Sequence, residues 1–222
     1  YLPADRQQEV GHRYICGVYQ MMKELTESFP NILFEGCSAG GNRFDLGILC
    51  YFPQIWASDN TDAVSRLRIQ HGYSYGYPMS VLTAHVSSCP NHQTLRVTPL
   101  ASRFAVASFG LLGYECNLID MKKEELEIIK EQIACYKKYR KTLQQGNFYR
   151  IRSGNIYEWM TVSLDQKEAV GMMMQKEVAP NEMYQSFKSV GLDASRKYHF
   201  YSLPLKHNVK TFGDLINTAI PF

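Results

Sequence analysis

The sequence predicts an α/β fold: half of a (β/α)8 TIM barrel over residues 1–146, followed by a small antiparallel β-sandwich domain over residues 147–222. Short apolar runs alternate four times with amphipathic helical segments, a pattern typical of parallel strands joined by right-handed helical crossovers. Four such cycles make half of an eight-fold barrel. After Gly146 the helical periodicity ends, and short strand-like runs separated by turn residues follow.

The predicted barrel strands are four short apolar runs: Ile32–Phe34, Ile55–Ala57, Met79–Val86 and Leu111–Cys116. The predicted helices begin at residues that favour helix starts: Pro3, Asp59 or Asp62, Pro99 and Asp120. A glycine-rich loop follows the first strand, and residues 46–52 are expected to form a helix or turn. Each strand therefore leads directly into a loop and a helix, as a barrel requires.

The second domain is predicted from alternating apolar residues over four segments. These segments are Phe148–Ile151, Ile156–Leu164, Glu168–Met174 and Lys197–Leu205. Met172, Met173 and Met174 are interpreted as part of an apolar strand. We place the domain boundary at residue 146 because the longest predicted helix ends at Gly146.

Composition argues against two classes of partner, nucleic acid and membrane. The net charge is +3 and is spread along the chain of 222 residues, without the basic block that follows a phosphate backbone. No apolar run approaches a membrane span, so we expect neither nucleic acid nor membrane as a partner. The six cysteines are widely spaced, which favours free thiols and a cytoplasmic location. The chain starts at Tyr1 and enters a helix at once, so we expect it to be part of a longer protein.

Asp59 is the main candidate for a catalytic group. It follows Trp56 and Ser58 at the end of a predicted strand, where barrels place their active sites. A carboxyl group beside an aromatic wall can stay protonated and act as a general acid. The alternative is that Asp59 only caps the next helix, although Asp62 fits that structural role better. The residues alone do not decide whether Asp59 is a general acid or a helix cap.

The run from Cys37 through Gly40 to Arg43 follows the first strand. Glycine lets the backbone approach a ligand closely, and an arginine can donate several hydrogen bonds to sugar hydroxyls. From the residues alone, an ion pair of Arg43 with Asp45 or Glu35 fits better than a contact with a ligand. Cys37 could be a nucleophile, but no histidine is near in sequence, and a small wall residue fits better.

Two further clusters have simpler interpretations. His85, Cys89 and His92 show a spacing that resembles metal ligands. Without a second CxxC-like half, a loop with hydrogen-bonded histidines fits better. Tyrosines 73, 75 and 77 alternate with small residues, and core packing fits them better than ligand stacking.

The run ILFEGCSAGGNRFDLGILCYFPQIWASDNTDAVSRLRIQHG resembles the C-terminal half of the catalytic barrel of long bacterial α-galactosidases, glycoside hydrolase family 36. The segments VGHRYICGVYQMMKELTESFPNILFE, TAHVSSCPNHQ and RFAVASFGLLGYECNL resemble the same family. The resemblance covers residues 5–145, and a β domain is expected after it. Ala39 and Asn42 depart from it, since many relatives have glycine there, which leaves the fine specificity open.

The resemblance implies a retaining mechanism with one nucleophile and one acid/base. Asp59 matches the family's acid/base in its tryptophan-x-serine-Asp run. Cys37, Gly40 and Arg43 match the run that lines the galactose pocket, and Trp56 and Ser58 would shape its wall. The family's nucleophile belongs to a lysine-x-Asp motif on an earlier strand, which we do not find here. We therefore expect the isolated chain to be inactive, and marginally stable because half a barrel leaves two open edges.

The function expected from the resemblance is hydrolysis of terminal α-galactosyl residues from oligosaccharides such as melibiose and raffinose. No cofactor or metal is expected, and the full-length form is expected to be a homo-oligomer, such as a tetramer. The alternatives are an α-galactosyl transglycosylase, an α-N-acetylgalactosaminidase on the same scaffold, and a non-catalytic sugar-binding fragment.

Overall fold

The computed structural model describes residues 2–181 and 185–203. Its first sheet is parallel, with strand order β1-β2-β3-β4. These strands are β1 (Glu35–Gly36), β2 (Gln54–Trp56), β3 (Leu82–Ser87) and β4 (Leu111–Glu115). The predicted half barrel of parallel strands is thus confirmed. In the part of the chain that the structure describes, β1 and β4 are the edges of this sheet.

Helices connect the strands in the predicted order. The longer ones are α1 (Val10–Ser28), α3 (Ala63–Tyr73), α4 (Leu100–Ala107) and α5 (Lys123–Gln145), and a four-residue turn, α2 (Ser38–Gly41), follows β1. Short 3-10 turns cover Ala4–Glu9, Ile48–Cys50, Met79–Val81 and Leu118–Asp120. Among the described residues, no helix is both long enough and apolar enough to cross a membrane.

Three predicted element boundaries are wrong. The strand predicted from Met79 begins only at Leu82, because Met79–Val81 form a 3-10 turn. The first strand contains none of the predicted residues Ile32–Phe34, of which Ile32 and Leu33 are 55% and 69% exposed. It begins at Glu35, because the close contact with β2 is made at Gly36. A Cβ on Gly36 would lie 2.6 Å from Ile55 Cδ1. Asp120 does not cap α5. The helix begins at Lys123, and the carboxylate of Glu125 accepts the backbone N–H of Lys122.

The second sheet is antiparallel, with order β5-β6-β7. Its strands are β5 (Asn147–Arg152), β6 (Ile156–Val162) and β7 (Ala169–Gln175), and Met172–Met174 lie in β7 as expected. The predicted strand over 197–205 is wrong for residues 197–203, which form no strand; residues 204 and 205 lie outside the described residues. The Tyr198 hydroxyl instead donates to the carbonyl of Gln166, so this segment is held through side chains.

The two sheets share one apolar core through Trp159, which is fully buried. Its ring contacts Phe109 and Phe148 edge-on, with centroids 5.6 and 5.9 Å away. Its indole N–H donates to Nδ1 of His71 on α3 at 3.1 Å. Burial, with the charge of Arg150 as a second cause, lowers the pKa of His71. His71 therefore joins the β domain to the barrel as a neutral acceptor.

Candidate active site

The carboxyl ends of β1 and β2 bring the predicted site residues to one edge of the sheet. The strands are parallel, and Gly36 is in register with Ile55. The loops over residues 37–43 and 57–62 therefore leave the sheet side by side. This is the end of the sheet where barrel enzymes assemble their active sites.

The loop after β1 has an unusual backbone. All four residues of α2 have positive φ values, 65°, 53°, 75° and 90° in chain order. Two of them, Ser38 and Ala39, are not glycine, and the left-handed region costs such a residue about 1–2 kcal/mol. Strain of this kind concentrates at ligand-binding sites, where the surrounding structure maintains it. The turn is closed by the Gly41 N–H, which donates to the carbonyl of Cys37 at 3.2 Å.

The two glycines of this turn bring it against the loop that carries Asp59. A Cβ on Gly40 would lie 3.1 Å from the backbone nitrogen of Asp59 and 3.4 Å from its Oδ2. A Cβ on Gly41 would lie 2.8 Å from the carbonyl oxygen of Ala57. Side chains at these positions would force the two loops apart, so the glycines set the position of the Asp59 carboxylate relative to the turn.

Asp59 itself is exposed, and its contact with Trp56 is polar. The indole Nε1–H donates to Oδ1 at 2.9 Å. The expectation of an apolar wall around this carboxyl group is therefore wrong for the described residues. Trp56 presents its N–H edge to Asp59 rather than its ring face. The structure also rejects the cap alternative, since α3 begins after Asp62, whose carboxylate accepts the N–H of Ser65 at 3.0 Å.

The ring of Trp56 is fixed by side chains from two further elements. The guanidinium of Arg66 lies 4.5 Å from the ring centroid, and the ring of His85 on β3 lies 4.8 Å away. Nδ1 of His85 is 3.0 Å from a carboxylate oxygen of Glu115 at the end of β4. Three neighbouring strands thus contribute to the orientation of the group that contacts Asp59.

Arg66 is a further residue next to Asp59, and the motif of Asp59 did not predict it. Its side chain is buried, and its guanidinium donates to the carbonyls of Ser58, Asn60 and Thr83. Burial lowers the pKa of Arg66 to about 10, an effect opposed by the charges of Glu115 and Asp59. The available signal was its place beside Leu67, on the side of α3 that faces the core.

The other predicted pocket residues are at the same edge, with different surroundings. Ser58 Oγ accepts the backbone N–H of Asn60 at 3.2 Å, which is a turn contact. Ser58 also borders a groove of about 490 Å³ that Tyr73 and Tyr77 line on the α3 side. Cys37 is exposed at the start of α2.

Arg43 is exposed, and within residues 2–181 and 185–203 it forms no ion pair. Its two expected carboxylate partners have other contacts. Asp45 accepts from the hydroxyl of Tyr19 at 2.6 Å, and Glu35 accepts from the hydroxyl of Thr83. The ion-pair alternative is therefore wrong in the described structure, and the guanidinium of Arg43 is available to a ligand.

The spacing of His85, Cys89 and His92 does not produce a metal-binding group. Nowhere in the described residues do three His, Cys, Asp or Glu side chains come close enough to hold a metal ion. His85 pairs with Glu115, and the Cys89 thiol donates to the carbonyl of Thr98 at 3.6 Å. His85 therefore contacts the ring of Trp56 and the carboxylate of Glu115, and it does not act as a metal ligand in the described structure.

Comparison with known proteins identifies two family matches. A family model described as Melibiase matches residues 1–146, and one described as the glycosyl hydrolase family 36 C-terminal domain matches residues 156–217. Among curated proteins, alpha-galactosidase 1 of Pediococcus pentosaceus is 48% identical over 200 residues, which is 89% of this chain and 27% of that protein. Alpha-galactosidase AgaA of Geobacillus stearothermophilus is 46% identical over 205 residues, 91% of this chain and 28% of that protein.

Solved structures give the same result. A variant of AgaA from Geobacillus stearothermophilus in complex with raffinose matches with a TM-score of 0.85 and 47% identity, over 87% of this chain and 27% of that chain. The alpha-galactosidase from Lactobacillus brevis matches with a TM-score of 0.84 and 50% identity, over 86% of this chain and 26% of that one. The chain therefore spans about a quarter of the length of these relatives.

Proposed function

Because the chain belongs to the melibiase family, glycoside hydrolase family 36, we propose that the natural protein containing it hydrolyses terminal α-galactosyl residues by a retaining mechanism. The observation that carries this proposal is the juxtaposition of Gly40, Trp56 and Asp59 at the carboxyl ends of β1 and β2. An exposed carboxylate oriented by an indole N–H, beside a strained glycine turn, has the form of a site that handles a polar ligand.

In this proposal Asp59 is the acid/base. It first protonates the glycosidic oxygen, so that the leaving sugar departs as an alcohol while a carboxylate nucleophile forms a galactosyl-enzyme. The resulting Asp59 carboxylate then takes a proton from water, which attacks the galactosyl-enzyme and restores the acid. The relatives are more than three times as long as this chain, which matches only 27–28% of their length. We propose that a region of the fold outside the matched residues supplies the nucleophile.

The remaining predicted residues form the sugar pocket in this proposal. Arg43 has no ion pair in the described structure, so it can donate to sugar hydroxyls. Cys37 and Gly40 allow the ring to approach the turn, since neither has a bulky side chain. Trp56 and Ser58 limit the pocket on the β2 side. The reaction as proposed uses carboxylates alone and involves neither a metal ion nor a cofactor.

The proposed substrates are α-galactosides of the raffinose series. AgaA structures have been solved in complex with raffinose, stachyose and 1-deoxygalactonojirimycin, and AgaA matches this chain at 47% identity. Hydrolysis is favoured over the transglycosylase and N-acetylgalactosaminidase alternatives because the named relatives are alpha-galactosidases.

The test is Asp59→Gly in the natural polypeptide, assayed on an activated aryl α-galactoside with and without sodium azide. The activated leaving group departs without a proton, so the variant should accumulate the galactosyl-enzyme. Azide should then restore turnover and yield α-galactosyl azide with retained configuration. A wild-type protein without α-galactosidase activity would contradict the proposed function. Unchanged activity in a folded Asp59→Gly variant, or a loss that azide does not relieve, would contradict the role of Asp59.

We also propose that the natural protein is cytoplasmic and assembles as a homo-oligomer, such as a tetramer. All six cysteines are free thiols in the described structure, which suits a reducing compartment. Light scattering on the purified natural polypeptide tests the assembly, and a monomer at micromolar concentration would contradict it.

A further inference from the structure

Arg66 makes an unusual set of contacts for a buried arginine. It is 3% exposed, yet its guanidinium has no carboxylate partner at ion-pair distance among the described residues. Its hydrogen bonds go to main-chain carbonyls, with Nε 2.8 Å from the oxygen of Asn60 and Nη1 3.3 Å from that of Thr83. A third bond joins Nη2 to the carbonyl of Ser58. Burying a cation without an ion-pair partner is costly, so this arrangement needs a compensating role.

Two of the three carbonyls that Arg66 binds, those of Ser58 and Asn60, belong to the residues directly before and directly after Asp59. The planar guanidinium bridges residues 58 and 60, and its third bond ties this loop to β3. The same guanidinium packs on the ring of Trp56, whose N–H donates to the Asp59 carboxylate. Both the backbone and the side chain of Asp59 are therefore held by groups that contact Arg66.

We propose that Arg66 is a positioning residue that fixes Asp59 for proton transfer, acting through the carbonyls of Ser58 and Asn60 and the ring of Trp56. The proposal rests on the proposed function, since it assumes that Asp59 is the acid/base. A planar fork can bridge two carbonyls in one plane, whereas an ammonium group binds them as a point charge without fixed geometry. A lysine at position 66 should therefore keep the charge and lose the alignment.

The next β/α unit contains a matched arginine that serves as a control. Arg103 is 6% exposed and lies four residues after Pro99, the N-cap of α4, just as Arg66 lies four residues after Asp62, the N-cap of α3. Its guanidinium also binds carbonyls of a strand-to-helix loop, those of Ser87 and Thr98. Neither of these acceptors adjoins Asp59. Arg103→Lys therefore makes the same chemical change in the same kind of contact, away from the acid.

The experiment measures kcat/KM for the wild type, Arg66→Lys and Arg103→Lys on raffinose and on 2,4-dinitrophenyl α-galactoside. Raffinose has a poor leaving group that needs the acid, and the dinitrophenyl compound does not. Arg66→Lys should lower kcat/KM on raffinose by about tenfold or more, and on the dinitrophenyl substrate far less. Arg103→Lys should leave the ratio between the two substrates unchanged. An equal loss of both activities in Arg66→Lys would overturn the proposal.

A double variant separates this proposal from the proposed function. In an Asp59→Gly background, adding Arg66→Lys should leave the azide-rescued rate unchanged, because no acid remains to be positioned. A further loss there as large as in the wild-type background would refute the role of Arg66 while the rescue itself still supports Asp59. If Arg66→Lys does not fold, Arg66→Gln takes its place, since it keeps an amide donor without a buried charge. Failure of both to fold, while Arg103→Lys folds, would assign Arg66 to stability alone.

Discussion

The contact between the left-handed turn and the Asp59 loop can be tested with a single methyl group. In Gly40→Ala the new Cβ would lie 3.1 Å from the Asp59 nitrogen and 3.4 Å from its Oδ2, at a residue with φ of +75°. The left-handed conformation alone costs about 1–2 kcal/mol. The crowded contact can be relieved only if the two loops separate by a few tenths of an ångström, which displaces the carboxylate.

We therefore expect Gly40→Ala to lower the free energy of unfolding by about 1–2 kcal/mol and kcat on raffinose by about tenfold. Chemical denaturation and steady-state kinetics on the natural polypeptide measure the two effects. Gly76→Ala is the control, because a Cβ there has no heavy atom within 4 Å and its φ is not positive. It should change stability by less than about 1 kcal/mol and leave kcat unchanged. Wild-type stability and wild-type kcat in Gly40→Ala would refute the reasoning.

Three further predictions concern the groups around this contact. Trp56→Phe keeps a ring but removes the N–H donor to Asp59. Because such a hydrogen bond is worth about 1 kcal/mol, kcat on raffinose should fall about fivefold. An unchanged kcat would contradict this prediction. His71 has a lowered native pKa, so the unfolded chain binds its proton first as the pH falls below 6.5. The unfolding free energy should therefore decrease from pH 6.5 downward, and this slope should shrink in His71→Gln; equal slopes in the two proteins would count against it. Asp62→Ala removes a buried helix cap and the partner of Arg96, so it should lower the free energy of unfolding by about 2 kcal/mol or more in urea denaturation. Asp62→Asn keeps an acceptor for the cap and should lower this free energy less. Equal losses in the two variants would exclude the capping contribution.

The order of strands and helices followed from the sequence because each cycle pairs an apolar run with a helix start. Ile55 and Leu82 are buried in strands as their apolar character predicts. The first strand was misplaced because apolar character does not reveal where a sheet is close-packed, and that point is Gly36. The segment over 197–203 has strand-like alternation, but Tyr198 and Tyr201 make hydroxyl contacts to a loop and to α5 instead of a ladder.

The candidate site was predictable in part. Residues on one loop, such as Trp56 and Asp59, could be grouped because they are close in sequence. The approach of Gly40 to Asp59 follows from the pairing of β1 with β2, which a resemblance suggests but periodicity does not. Arg66 was missed because a charged residue on a helix is normally assigned to solvent, and its acceptors are main-chain carbonyls that carry no residue-specific signal.

The contacts of the β2–α3 unit have a consequence for recombining related enzymes. Trp56, Asp59, Asp62 and Arg66 lie within one stretch of chain, residues 54–66. Most of the contacts that their side chains make are with other residues of this stretch. A chimera that inherits this stretch as one block keeps the proposed acid, its indole donor, the helix cap and the guanidinium bridge together. A crossover between residues 60 and 66 would join the proposed acid of one parent to the arginine of another. Library designs should therefore place their junctions outside this stretch.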